Sequence, residues 1–180
     1  TKTLVVAKAA DALQAVRSKA EELGLDVHYL GDDVEGNACD LGAQHAALAL
    51  RLKTEGRKAL ILSGGEATVE VKNPAGRGGP NMEYVLGAAL AISGQTGISV
   101  LACDSDGIDG SEDAAGGFAN GETVVRARAE GLDVSGLLNE NKSYNVLKAL
   151  GDLIVTGPTR TNVNDIRMIV VEGEHHDQSK

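Results

Sequence analysis

Tryptophan is absent from the 180 residues, and the other aromatics are nearly so: one phenylalanine, Phe118, and three tyrosines. The stacking platforms of single-stranded nucleic-acid binders therefore have nothing to be built from, and the core must come from Ala, Val, Leu and Ile within a hydrophobic share of 42 %. Positive charge is short as well, with 17 Lys+Arg against 26 Asp+Glu and a formal net charge of −9, the reverse of a nucleic-acid footprint. Long apolar runs are missing. The longest uncharged one, Val85 to Ile92, falls far short of the roughly 20 residues of a membrane span, so the expectation is a soluble, cytoplasmic protein with no nucleic-acid or membrane partner. Cys39 and Cys103 stand far apart in no metal-like spacing and are expected to be reduced, small core residues. No methionine opens the chain, and Thr1 leads directly into the apolar run Leu4 to Ala7, as in a piece cut from a longer protein.

Glycine is what the chain has in excess, 23 of 180 residues, roughly twice the ordinary share of about 7 %. The glycines gather in a few places, which points to functional loops. Between those loops the periodicity is regular. Leu4 to Ala7 reads as a strand, Ala9 to Leu23 as a helix closed by Gly24, Leu25 to Leu30 as a strand, Gly36 to Glu55 as a helix and Ala59 to Leu62 as a strand. This alternation implies parallel pairing and an α/β fold. Ala67 to Lys72 reads as a strand running antiparallel to its predecessor after a tight turn, so the sheet is expected to be mixed. Further on come a helix at Asn81 to Ser93, a strand at Ile98 to Cys103, helices near Glu122 to Glu130, Val134 to Glu140 and Ser143 to Leu150, and strands at Leu153 to Thr156 and Ile166 to Val171. The sum is a three-layer α/β/α arrangement on a mixed, mainly parallel sheet. Residues 1–58 lead into a domain at 59–172, and 173–180 form a polar tail.

Four loops have the composition of binding sites. Gly76-Arg77-Gly78-Gly79-Pro80-Asn81 combines a guanidinium, exposed backbone N–H groups and a helix start, the ingredients of an anion site. Its alternative is a turn with Asn81 as N-cap. Asp104-Ser105-Asp106-Gly107-Ile108-Asp109-Gly110 follows a buried strand at its C-terminal end, where open α/β sheets place ligands. Its three carboxylates repel one another unless a hard cation such as Mg²⁺ lies among them or the turn is simply solvated. Thr156-Gly157-Pro158-Thr159-Arg160-Thr161-Asn162-Val163-Asn164-Asp165 carries more hydrogen-bonding groups than a connection needs. Ser63-Gly64-Gly65-Glu66 is either a hairpin turn or a place where backbone approaches a ligand closely. His28 and His45 fall on regular elements and His175 and His176 in the tail, and no Ser/His/Asp or Cys/His set shares plausible loops, which disfavours covalent catalysis.

Taken in order, Leu62-Ser63-Gly64-Gly65-Glu66-Ala67-Thr68-Val69, the glycine loop with Met82-Glu83, the acidic loop with Asp113-Ala114-Ala115-Gly116, and Thr156 to Asp165 resemble the glycerate 2-kinase family. The C-terminal part of that family is called the MOFRL domain, and its members have long carried the label hydroxypyruvate reductase. The resemblance covers about Leu60 to Val171. Met82 stands where the family commonly has Gln, and Arg160 where it commonly has Gly.

For the intact protein the resemblance implies ATP-dependent phosphorylation of D-glycerate to 2-phosphoglycerate, with ATP and Mg²⁺ as cofactors. The active site would lie in a cleft shared with an N-terminal domain that bears a catalytic lysine and is absent from these residues. Asp104 and Asp106 are expected to orient Mg²⁺, Asp109 to support their loop and Arg77 to hold a phosphate or the glycerate carboxylate, all four being candidate catalytic residues. Ser63, Gly64, Gly65, Glu66, Gly76, Gly78, Gly79, Asn81, Glu83, Thr156, Gly157, Thr159, Asn162, Asn164 and Asp165 are expected around substrate or phosphate. A homodimer is left open. The alternatives are a reductase acting on hydroxypyruvate, which would need a dinucleotide fingerprint that this chain lacks, and a fragment inactive on its own.

Overall fold

Helix α1 (Ala9–Glu22) starts where Asp11 reaches back to the Lys8 backbone N–H at 2.9 Å and stops ahead of Gly24, whose φ of +72° is the left-handed turn expected of a C-terminal glycine. A computed structural model describes residues 8–173 of the chain; the expected strand Leu4 to Ala7 and nearly all of the polar tail lie outside them. After α1 come β1 (Asp26–Gly31), β2 (Gly36–Asn37), α2 (Ala38–Thr54), β3 (Ala59–Ser63), β4 (Ala67–Thr68), α3 (Pro80–Ala91), β5 (Ile98–Asp104) and β6 (Gly116–Asn120). Helices α4 (Thr123–Ala129), α5 (Val134–Asn139) and α6 (Ser143–Leu150) follow, then β7 (Leu153–Ile154) and β8 (Asp165–Val171).

Six strands form one sheet in the order β1-β3-β8-β5-β6-β7. Alternation along β3 explains the three layers, because successive side chains point to opposite faces. Ile61 packs with Val100 and Ile169 under α2 and α3, whereas Leu60 and Leu62 meet Leu13 and Ala20 of α1 on the far side. The sheet is mixed as expected. Its strands β1, β3, β5 and β7 share one direction, but β8 and β6 are threaded between them, so only β1 and β3 pair in parallel and the other four ladders are antiparallel. The expectation of a mainly parallel sheet thus holds for strand direction and fails for neighbouring pairs.

Two local expectations are corrected. Ser63-Gly64-Gly65-Glu66 is no hairpin: Thr68 ends a two-residue strand that pairs in parallel with Asn37 in a separate small sheet, and Val69 to Lys72 are irregular. The chain turns out of the main sheet because β8 already occupies that side of β3. Strand β6 was not read from the sequence, since Gly116-Gly117 carries no β-branched signal; its Phe118 pairs with Leu101 of β5. Both cysteines are unpaired and half-buried rather than fully in the core.

Candidate functional site

Strands β1, β3 and β5 end at the same edge of the sheet because they run the same way, and β8 begins there because it runs against them. That edge gathers all four loops. The acidic loop leaves β5 as two successive Asx turns, Asp104 Oδ1 accepting the Asp106 N–H at 2.9 Å and Asp106 Oδ1 that of Ile108 at 2.8 Å. The polar loop lies across it: Thr159 N donates to the Asp106 carbonyl at 2.9 Å and Val163 N to Ser105 Oγ at 2.8 Å. Asp165 ties in the Ser63–Glu66 turn, its N–H donating to the Gly65 carbonyl at 3.2 Å and its Oδ2 accepting the Ala67 N–H at 3.3 Å. Asn81 joins the glycine loop to both, with Nδ2 donating to Asp165 Oδ1 at 2.7 Å and to Asp109 Oδ1 at 3.3 Å.

The N-terminus of α3, which the sequence reading gave to a bound anion, already holds one. Asp109 Oδ1 accepts the Asn81 N–H at 3.0 Å and Oδ2 the Met82 N–H at 2.8 Å, so this buried carboxylate caps the helix from another loop. Both oxygens of Asp109 are thereby engaged in holding the start of α3, in keeping with the loop-supporting part expected of it. The glycines beside it serve chain-to-chain packing. A Cβ on Gly78 would fall 2.0 Å from Ser143 Oγ, and one on Gly79 would fall 2.5 Å from Asp109 Oδ1; Gly76 likewise backs onto Asn141, Gly64 onto Leu13 of α1 and Gly65 onto Val34 in the loop after β1. Arg77 has its side chain half in solvent and paired with Glu112. Glu83 reaches Asn141, the residue that Gly76 backs onto. Its Oε1 accepts from Asn141 Nδ2 at 2.9 Å, and it lines a separate polar cavity with Asn37, Cys39, Glu70 and Lys72. Glu66, Thr156, Thr159, Asn162 and Asn164 are exposed and Gly157 half-buried; Asn162 Oδ1 accepts the Asn164 N–H at 3.1 Å.

Electrostatics separate the acidic groups. Burial, and then the like charges of Asp106 and Asp165, push the Asp104 carboxyl above the ordinary range against the pull of the Asp106 N–H. Desolvation pushes Asp109 further, from 3.8 to about 7, although the Met82 and Asn81 donors hold it down. Between those two values the folded chain keeps a proton that the unfolded chain has released, so raising the pH costs the fold up to about 1.4 kcal/mol per pH unit. The stability that this proton confers is complete below about pH 4 and gone above about pH 7. Urea unfolding across that range should show the decline in the wild type and a flatter profile in Asp109→Asn.

Among the described residues no three His, Cys, Asp or Glu are arranged to hold a metal ion. Asp104 and Asp106 each spend one oxygen on their own turn and keep the other. Two carboxylates suit a Mg²⁺ that arrives with substrate phosphates and keeps its waters, and do not suit an ion caged by protein alone.

The MOFRL family model matches residues 59–165, well over half of the sequence. The chain belongs to the MOFRL family. It is 45 % identical over 172 residues to an Agrobacterium vitis protein named "Putative hydroxypyruvate reductase", covering 93 % of this chain and 39 % of that one. It is also 36 % identical over 171 residues to the glycerate 2-kinase of Pyrococcus horikoshii, covering 93 % of this chain and 39 % of the relative. A crystal structure of a glycerate kinase (EC 2.7.1.31) from Thermotoga maritima superposes with a TM-score of 0.90 at 34 % identity, covering 94 % of this chain and 42 % of that one. The chain thus spans about two fifths of the length of these relatives.

Within this MOFRL chain, Arg160 has an unusual backbone conformation for a non-glycine residue. It holds φ at +62°, in the left-handed region that favours glycine, the residue the resemblance puts at this position. The sequence reading missed Arg167, whose fully buried guanidinium donates to Asp165 Oδ2 at 2.7 Å and to the carbonyls of Val34 and Gly64 at 3.3 and 3.4 Å. The available signal was a lone cation inside the apolar strand Ile166 to Val171. Glu112 and Tyr144 were missed too, and neither carries a signal beyond its proximity to a motif. Ser63 Oγ, Asn81 Oδ1 and Arg167 Nε are buried with no hydrogen-bond partner among the described residues, so the loop junction keeps polar capacity to spare.

Proposed function

We propose that the whole protein to which this MOFRL chain belongs transfers the terminal phosphoryl group of ATP to the 2-hydroxyl of D-glycerate, and that this chain supplies the acidic and glycine loops of the site. One observation carries the reading. The four loops are hydrogen-bonded into a single edge of the sheet, which carries the half-buried carboxylates Asp104 and Asp106 and the half-exposed Arg77. Phosphoryl transfer asks for such parts, since its catalysis is chiefly positioning and charge neutralisation. When bound with the nucleotide, Mg²⁺ would be held by Asp104 and Asp106 and would supply charge neutralisation on phosphoryl oxygens. Arg77 offers a fixed guanidinium to the glycerate carboxylate or to a phosphate.

The test is an assay of the intact protein with ATP and D-glycerate, and in parallel with NADH and hydroxypyruvate. Phosphorylation without NADH oxidation is the expected result; hydride transfer without phosphorylation would overturn the reading. Asp104→Asn is expected to raise the Mg²⁺ concentration needed for activity and to lower kcat, because removing a ligand charge weakens a hard-cation site, with folding unchanged by circular dichroism.

A further inference from the structure

We propose that Glu112 is the positioning residue of Arg77, an assignment that rests on the kinase reading and on Arg77 meeting an anion there. Arg77 Nε lies 3.2 and 3.1 Å from the two oxygens of Glu112, and Nη2 also donates to Oε2. The side chain of Glu112 is 5 % exposed, whereas that of Arg77 is 52 % exposed. The pair is therefore asymmetric. Glu112 is fixed in the protein, and it would be left as a buried, uncompensated carboxylate if Arg77 swung away, a costly state. A second restraint acts on the plane of the guanidinium, which lies 4.3 Å over the ring of Tyr144. Tyr144 is itself held at both ends, its hydroxyl donating to Asp113 Oδ1 at 2.8 Å and its backbone N–H to the Arg77 carbonyl at 3.0 Å.

Donor geometry says what this leaves over. A guanidinium has two forked edges, and Glu112 takes the side edge made by Nε and Nη2. The end edge, made by Nη1 and the second N–H of Nη2, is paired with no carboxylate among the described residues, and Tyr144 is the polar side chain beside the guanidinium there. It is the edge that can grip a carboxylate or phosphate in bidentate fashion. Glu112 and Tyr144 thus fix Arg77 with one fork spent and the other presented to solvent, so that an anion meets an already oriented donor pair.

A double-mutant cycle in the intact protein tests this. Arg77→Ala should lower kcat/KM for phosphorylation at least 100-fold and Glu112→Ala at least tenfold, with Glu112→Gln, which keeps one acceptor oxygen, falling between Glu112→Ala and wild type. The Arg77→Ala/Glu112→Ala double variant should be no slower than Arg77→Ala alone, because Glu112 acts only through that side chain. A structural role would instead multiply the two losses. Multiplied losses, or a Glu112→Ala rate at or above wild type, overturn the assignment while leaving the kinase reading in place. A wild-type protein that phosphorylates no glycerate, or an Arg77→Ala variant as fast as wild type, overturns the reading itself and the assignment with it. Independently of activity, the ¹⁵N-detected Nε–H of Arg77 should exchange slowly in wild type and rapidly in Glu112→Ala. Equal exchange in both would show that the pair does not form in solution.

Discussion

Replacing Arg167 by methionine is expected to destabilise the fold by about 3–5 kcal/mol, the usual cost of removing one partner of a buried ion pair. The guanidinium has no side-chain exposure, and it binds three separate segments: the loop after β1 at Val34, the turn after β3 at Gly64, and Asp165 at the head of β8. Methionine fills the volume but leaves the Asp165 carboxylate with only the Ala67 N–H and the Asn81 amide. Adding Asp165→Asn should restore part of the loss, since the stranded charge is then gone. Urea denaturation of the single and double variants decides the matter. A single variant within 1 kcal/mol of wild type would mean that the pair holds nothing together.

The second large effect is steric and runs against helix propensity. Gly42 of α2 and Gly87 of α3 face each other's backbones: a Cβ on Gly42 would lie 2.1 Å from the Tyr84 carbonyl oxygen, and one on Gly87 would lie 2.4 Å from that of Cys39. Alanine is normally better than glycine inside a helix by about 0.8–1.0 kcal/mol. Here it must push two buried helices apart, and overpacking of this kind costs about 1–3 kcal/mol or more. Gly42→Ala is therefore expected to lower the denaturation midpoint rather than raise it. The Gly42→Ala/Gly87→Ala pair should lose less than the sum of the singles, because the first substitution opens the gap that the second needs. A raised midpoint for Gly42→Ala would show that the helices can separate freely.

The helices were legible in the sequence because their signals are local. Ala9 to Leu23 and Gly36 to Glu55 were read close to the observed α1 and α2, as the apolar stripe and the terminal glycines lie within one stretch of chain. The loops that matter were legible for a similar reason, since unusual composition needs no partner to be noticed. The insertion of β8 between β3 and β5 was not, because pairing across about a hundred residues leaves no local trace. Asp109 shows the same limit inside the site. Three neighbouring carboxylates look alike in the sequence, and only the approach of α3 makes one of them a buried cap while Asp104 and Asp106 stay within reach of solvent.

The central place of β8 also has a meaning for biosynthesis. Among the strands described it is the last to leave the ribosome, yet both β3 and β5 depend on it for a neighbour, and Asp165 and Arg167 at its start complete the loop junction. Until those seven residues emerge, the nascent chain holds two separate half-sheets with apolar edges exposed. The sheet can close only after nearly the whole segment has been translated, so a ribosome stalled or a message truncated between Ile154 and Asp165 would yield an opened chain for the proteolytic machinery rather than a folded chain with a weakened loop junction.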